Sequence, residues 1–166
     1  MKKEKLASEK ILVAYYSWSG STRAAAKMIQ AECGGEIFEI VPVRPYPSDY
    51  QKCVEQAKKE CRSDFHPDLK ETLANVGKYE VIFVGSPNWW GTVAPPVATF
   101  LTAYDFNGKI LVPFITHGGG GMQNCLRDVK RMCPGVNIPQ TGVFSGYSIK
   151  NEQRKIVELV QSVLFY

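Results

Sequence analysis

The sequence predicts a three-layer α/β sandwich on a doubly wound, five-stranded parallel sheet. Three observations predict it. Five apolar runs of strand length recur, at Ile11–Tyr16, Ile37–Val41, Val81–Val84, Ile110–Ile115 and Ile138–Phe144. They are rich in Val, Ile, Phe and Tyr and mostly continuous, as strands covered on both faces read. Segments of helical spacing separate them, and such alternation with short connections implies parallel strands joined by right-handed crossovers.

The elements follow in order. Residues 1–9 form a charged tail, and the six-residue run Ile11–Tyr16 is too short for a secretory signal or a membrane span, so a soluble cytoplasmic protein is expected. A small-residue helix opens at Ala24-Ala25-Ala26-Lys27-Met28 after the first strand. Residues 42–67 read as an extended connection with an extra helix: Pro42, Pro45 and Pro47 lead into a polar helical segment over Ser48–Cys61, capped by Ser48 or Asp49. A further helix is expected from Pro67 or Asp68 to near Gly77. Val97, Phe100, Leu101 and Tyr104 then mark one helix by their spacing; Met122, Cys125, Leu126 and Val129 mark the next, and Ile156, Leu159, Val160 and Val163 the last. With 166 residues and no repeat, the whole chain, 1–166, is read as one domain.

Composition narrows the function classes. Five cysteines, with no C-x-x-C pair and only two histidines, suit neither a disulfide framework nor a zinc site, so no metal is expected. The eight-residue spacings Cys53 to Cys61 and Cys125 to Cys133 fit buried helical packing. The net charge of +4 is spread along predicted helices with no basic run interleaved with aromatics, which argues against nucleic acid.

Three loops carry the chemistry. After the first strand comes Ser17-Trp18-Ser19-Gly20-Ser21-Thr22-Arg23, a hydroxyl-rich loop entering a helix N-terminus. Its backbone N–H groups, its hydroxyls and the positive end of the helix dipole suit one phosphate group. It is neither G-x-x-x-x-G-K-[ST] nor G-x-G-x-x-G. After the third strand comes Gly85-Ser86-Pro87-Asn88-Trp89-Trp90-Gly91-Thr92-Val93-Ala94-Pro95-Pro96. Consecutive side chains in extended backbone point to opposite sides, so at least one tryptophan is exposed or stacks on a planar ring. After the fourth strand comes Thr116-His117-Gly118-Gly119-Gly120-Gly121, whose glycines allow close backbone approach to a ligand. In a doubly wound sheet of order 2-1-3-4-5, the order expected here, the carboxyl ends of strands 1, 3 and 4 surround the switch-point crevice, and all three loops meet there.

With these loops the chain resembles the flavodoxin family over residues 11–164. The resemblance implies non-covalently bound FMN, with no catalytic side chain. Ser17, Ser19, Gly20, Ser21 and Thr22 correspond to the phosphate loop. Ser86, Pro87, Asn88, Trp89, Trp90 and Gly91 correspond to the aromatic flavin loop, with Trp89 or Trp90 flanking the ring and the Trp90–Gly91 backbone a partner for flavin N5. Thr116, His117, Gly118, Gly119 and Gly120 border the pyrimidine side. The implied partners are a redox protein, or NAD(P)H with a small-molecule acceptor, and the chain is a monomer or a homodimer.

One departure bears on function. Carrier flavodoxins resemble one another in an acidic surface around the flavin, which disfavours the anionic hydroquinone. Here neither Gly85–Pro96 nor Thr116–Arg127 contains Asp or Glu, so an easier-to-form hydroquinone is expected. That keeps an NAD(P)H-dependent reductase of quinone-like acceptors beside the electron carrier. The C-x₅-R spacing of Cys125 and Arg131 matches cysteine phosphatases, but it lies on an amphipathic helix without glycine. A response-regulator receiver needs clustered acids where Ser17–Thr22 stands. His117 reads as a loop histidine bonding backbone, and Tyr147 as a residue at the crevice edge.

Overall fold

The computed structural model describes residues 6–165. Of the tail expected over residues 1–9, the first five residues lie outside that range, and Ser8–Lys10 form a 3-10 turn that leads into the sheet. The elements are β1 (Ile11–Tyr15), α1 (Ser21–Cys33), β2 (Glu36–Glu39), α2 (Tyr50–Arg62), β3 (Val81–Trp89), β4 (Thr92–Val93), α3 (Pro95–Ala103), β5 (Ile110–His117), α4 (Cys125–Met132), β6 (Gly142–Ser145) and α5 (Gln153–Leu164). The order is β2-β1-β3-β5-β6, all parallel, which is the predicted 2-1-3-4-5 arrangement. β4 adds a short antiparallel strand to the end of β3.

Strand alternation divides the core into two layers. Leu12, Ala14, Ile82, Val84, Leu111 and Ile115 pack with α3, α4 and Cys53 of α2. Ile11, Val13, Phe83, Val112 and Phe114 pack with α1 and α5. Both faces of the central strands are thus buried, and this is why their sequences are continuously apolar. Gly85 of β3 permits the tightest contact, since a Cβ there would lie 2.3 Å from the Phe114 ring. α1 crosses on one face towards β2 and α3 on the other towards β5, opening a crevice at the carboxyl ends of β1 and β3.

Four sequence expectations are corrected. The helix from Pro67 or Asp68 to Gly77 does not form. Leu69 pairs instead with Pro42 in an isolated antiparallel bridge, with Val43 N–H donating to Asp68 O and Lys70 N–H to Val41 O, and only Val76–Lys78 make a 3-10 turn. The proline-rich connection needs a backbone partner, and satisfying it outweighs local helix propensity. The last strand begins at Gly142 rather than Ile138, because Pro139 has no N–H for the ladder; Asn137 alone bridges to Ile110. β3 does not stop at Val84 but runs on to Trp89. β2 is an edge strand, and its Ile37 is exposed rather than covered on both faces.

The predicted helix over Ser48–Cys61 is α2, and Asp49 caps it by accepting the Lys52 N–H at 2.9 Å. None of the five cysteines forms a disulfide among the described residues; four are buried and Cys61 is half-buried. Cys125 is fully buried on α4, which removes any phosphate-wrapping loop. Among the described residues, no helix is long and apolar enough to cross a membrane.

Candidate functional site

The loop from Ser17 to Arg23 turns into α1 at Gly20, whose φ of 103° is available to glycine at little cost. Ser17 Oγ accepts the Gly20 N–H at 3.0 Å and tightens the turn. No side chain caps α1 and its first turn holds no acid. Among the described residues, the N–H groups of Ser21, Thr22 and Arg23 have no partner. They present the partial positive charge of a helix start to the crevice. Ser19 lines the crevice, and among the described residues its hydroxyl has no hydrogen-bond partner, whereas Ser21 Oγ donates to Gly146 O at 2.9 Å. Thr22 points inward: it is 1% exposed, and its hydroxyl lies 2.7 Å from that of Thr116.

The tryptophan segment is a β-hairpin. Trp89 pairs with Thr92, leaving Trp90 and Gly91 as a two-residue turn with φ of 56° and 83°. Positive φ at both positions is the type I′ signature, and it is strained for a residue as bulky as tryptophan. Asn88 secures the turn: its Oδ1 accepts the Gly91 N–H at 2.9 Å, and its Nδ2 donates to Gly121 O and Gln123 Oε1. Asn124 N–H donates to Gly91 O, and Thr92 Oγ1 to the buried carboxylate of Asp128 at 2.6 Å. Ser86 is used internally, accepting the Ala94 N–H and donating to Pro87 O.

The two tryptophans differ in their surroundings. Trp89 is held edge-on by Tyr46 and Tyr16, at centroid distances of 4.9 and 5.5 Å. Trp90 is 51% exposed; its indole N–H donates to Val54 O of α2, and Lys58 Nζ lies 5.2 Å from the ring centroid. In the third loop, His117 Nδ1 accepts the Gly119 N–H at 2.9 Å, so the backbone-bonded role expected of it is the one seen. A Cβ on Gly118 would meet the ring of Tyr147 at 3.2 Å.

These parts enclose a cavity of about 760 Å³. Nine of the predicted residues line it: Ser19 and Ser21 from the first loop, Pro87, Asn88, Trp89 and Trp90 from the second, Thr116, His117 and Gly118 from the third. Gly91 and Gly120 line an adjoining depression, while Ser17, Gly20, Thr22, Ser86 and Gly119 line neither and shape the loops from behind. Sequence reasoning missed the wall supplied by α2, namely Tyr50, Cys53, Val54 and Ala57. The signal was present: these positions follow i, i+3, i+4, i+7 on an otherwise polar helix. Cys53 is no nucleophile at neutral pH, because burial and the Glu60 carboxylate push its thiol up to about 11. Burial likewise raises the Tyr16 and Tyr46 hydroxyls, and Tyr46 donates to Glu60 at 2.6 Å.

The flavodoxin family model matches residues 10–160. The chain belongs to the flavodoxin family. Solved flavodoxin-like structures agree: a Bacteroides eggerthii protein assigned as a flavoprotein is 31% identical, over 89% of this chain and 97% of its own, with a TM-score of 0.74. A Bacteroides uniformis protein of the same description is 29% identical over 90% and 99%, with a TM-score of 0.79. A Lactobacillus acidophilus flavoprotein in complex with FMN shares the fold at 24% identity over 88% and 99%, with a TM-score of 0.70. No curated protein matches the sequence. The crevice of this flavodoxin-family chain also fits FMN in its own chemistry: unpartnered helix N–H groups for a phosphate, flat aromatic faces, and a glycine at position 118 where a side chain would intrude.

Proposed function

We propose that this chain holds FMN non-covalently in the crevice above β1, β3 and β5 and transfers electrons through it to a redox partner. One observation carries the reading: an uncapped, acid-free helix N-terminus and an aromatic wall share one cavity. The N–H groups of Ser21, Thr22 and Arg23, with the Ser19 hydroxyl, bind the phosphate. Thr116, His117 and Gly118 border the ring, and Trp90 and Tyr147 offer it planar faces. When bound, FMN supplies one- and two-electron redox chemistry. The Trp90–Gly91 backbone would supply a hydrogen-bond partner at flavin N5. Ser86, Asn88 and Asp128 keep that backbone in place, so the chain contributes position and electrostatics and no nucleophile.

A second reading, NAD(P)H-dependent reduction of a quinone-like acceptor, is favoured by one feature: no Asp or Glu lines the cavity. Added negative charge on a reduced cofactor then meets less repulsion than at an acidic site. Anaerobic absorbance titration of FMN-loaded protein with NADH and NADPH, then dithionite, separates the two. Rapid bleaching by a pyridine nucleotide supports the reductase and overturns the carrier. Indifference to both, with accumulation of a one-electron-reduced form under dithionite, supports the carrier. An apo-protein that takes up no FMN removes both.

A further inference from the structure

The Trp90–Gly91 tip lies between two helices, and both are basic. α2 carries Lys52, Lys58, Lys59 and Arg62 against Glu55 and Glu60, and α4 carries Arg127, Lys130 and Arg131 against Asp128. Together they hold a net +4, equal to that of the whole 166-residue chain, so the rest of the molecule is balanced. Their acids are also largely spent: Asp128 is 8% exposed and lies beside Arg127 and Arg131, and Glu60 accepts from Tyr46 and Gln56. Both helices touch the tip, α2 through Val54 and Lys58 at Trp90, and α4 through Asp128 at Thr92. Trp90 at the centre is half-exposed, and Tyr50, an exposed residue of α2 whose ring lies against Trp18, lines the same cavity. A rigid aromatic centre with a charged rim is the anatomy of a protein interface.

We propose that this face docks an electron-transfer protein whose own contact surface is acidic. This rests on the FMN redox reading, because the face surrounds the hairpin that borders the cavity. A basic rim raises the encounter rate with an acidic surface and repels basic ones, and salt screens both effects. Nucleic acid is disfavoured, since the two basic helices flank a fixed hairpin and form neither a groove nor a stacking platform.

The test is a titration of isotope-labelled, FMN-loaded protein, followed by amide chemical shifts. The probes are an acidic [2Fe–2S] ferredoxin, a basic cytochrome c and a short double-stranded DNA, each at low and at physiological ionic strength. The ferredoxin is expected to shift amides of α2, the 90–91 turn and α4, with affinity falling about tenfold as salt rises. The variant K52E/K59E/R62E/K130E alters side chains that have no hydrogen-bond or ion-pair partner among the described residues and do not line the cavity. It is expected to keep its FMN affinity, lose ferredoxin binding by about tenfold or more, and gain affinity for cytochrome c. The neutral variant K52Q/K59Q/R62Q/K130Q should fall between them, and it serves if the charge reversal does not fold. Tighter binding of cytochrome c or DNA by the unaltered protein, shifts mapping to other elements, or ferredoxin affinity indifferent to salt and to the variants would overturn the proposal. FMN affinity is measured separately, and the same titrations of apo-protein keep a failure of the FMN reading distinct from a failure of the docking face.

Discussion

Thr22 and Thr116 join the start of α1 to the end of β5 by a hydroxyl pair at 2.7 Å, with the two residues 1% and 3% exposed. Replacing either by Val, a near-isosteric residue, leaves the other hydroxyl buried without its partner. The cost of such an orphaned group is about 1–3 kcal/mol. Replacing both removes donor and acceptor together and puts two methyl groups in contact, which is close to neutral, within about 1 kcal/mol. The pair therefore predicts strong non-additivity: T22V/T116V should be more stable than either single variant, with a coupling of about 2 kcal/mol or more. Urea denaturation followed by circular dichroism measures it. FMN affinity, read by quenching of flavin fluorescence, is measured on the same proteins. Because the Thr22 hydroxyl points away from the cavity and only its N–H faces the phosphate position, T22V should bind FMN within a few-fold of the unaltered protein. S19A removes the hydroxyl that lines the cavity and should weaken binding by about 1 kcal/mol, roughly fivefold, at little cost in stability. If T22V lost FMN binding while keeping its stability, the hydroxyl would serve the phosphate and the inward assignment would be wrong. A double variant as unstable as the sum of the singles would show that the pair is not coupled.

Other outcomes follow from the same geometry. Gly85→Ala drives a methyl group into the fully buried Phe114 ring, and an overpacking cost of at least about 1–3 kcal/mol should lower the urea midpoint; a midpoint within error of the unaltered protein would mean that the strands can part there. Gly91→Ala meets only an ordinary contact with Gln123 at 3.5 Å, so its cost is the left-handed backbone alone, about 1–2 kcal/mol, and a stabilised variant would contradict the observed turn. Burial holds the Cys53, Cys61 and Cys133 thiols at about 11 and that of Cys125 at about 12, against an ordinary 9.0. Folding favours the neutral thiol, so this stability is fully present below about pH 9 and is lost as pH rises through 11. The urea midpoint should therefore fall over that window, and thiol reagents should label the native protein slowly at pH 8; a flat alkaline profile would show that the thiols titrate normally.

The sequence by itself determined the central strands and the parallel α/β class, because central parallel strands must be apolar on both faces and the helices between them must carry one apolar stripe; the strand order came only with the resemblance carried by the three loops. It also marked three loops at one sheet edge by their clustered serine, glycine and tryptophan residues. The tertiary structure decided what each residue does there. Ser19 and Thr22 look equivalent in the loop, yet one hydroxyl faces the cavity and the other is taken by Thr116, ninety-four residues away. Trp89 and Trp90 are adjacent, and only the packing of Tyr16, Tyr46 and α2 determines which is locked and which is exposed. The segment near Leu69 carried local helix signals but pairs with Pro42, and α2 closes the crevice from a stretch that reads as a connection. Periodicity records which side of an element is covered, whereas partners distant in the chain are chosen by backbone pairing and packing that no local window contains.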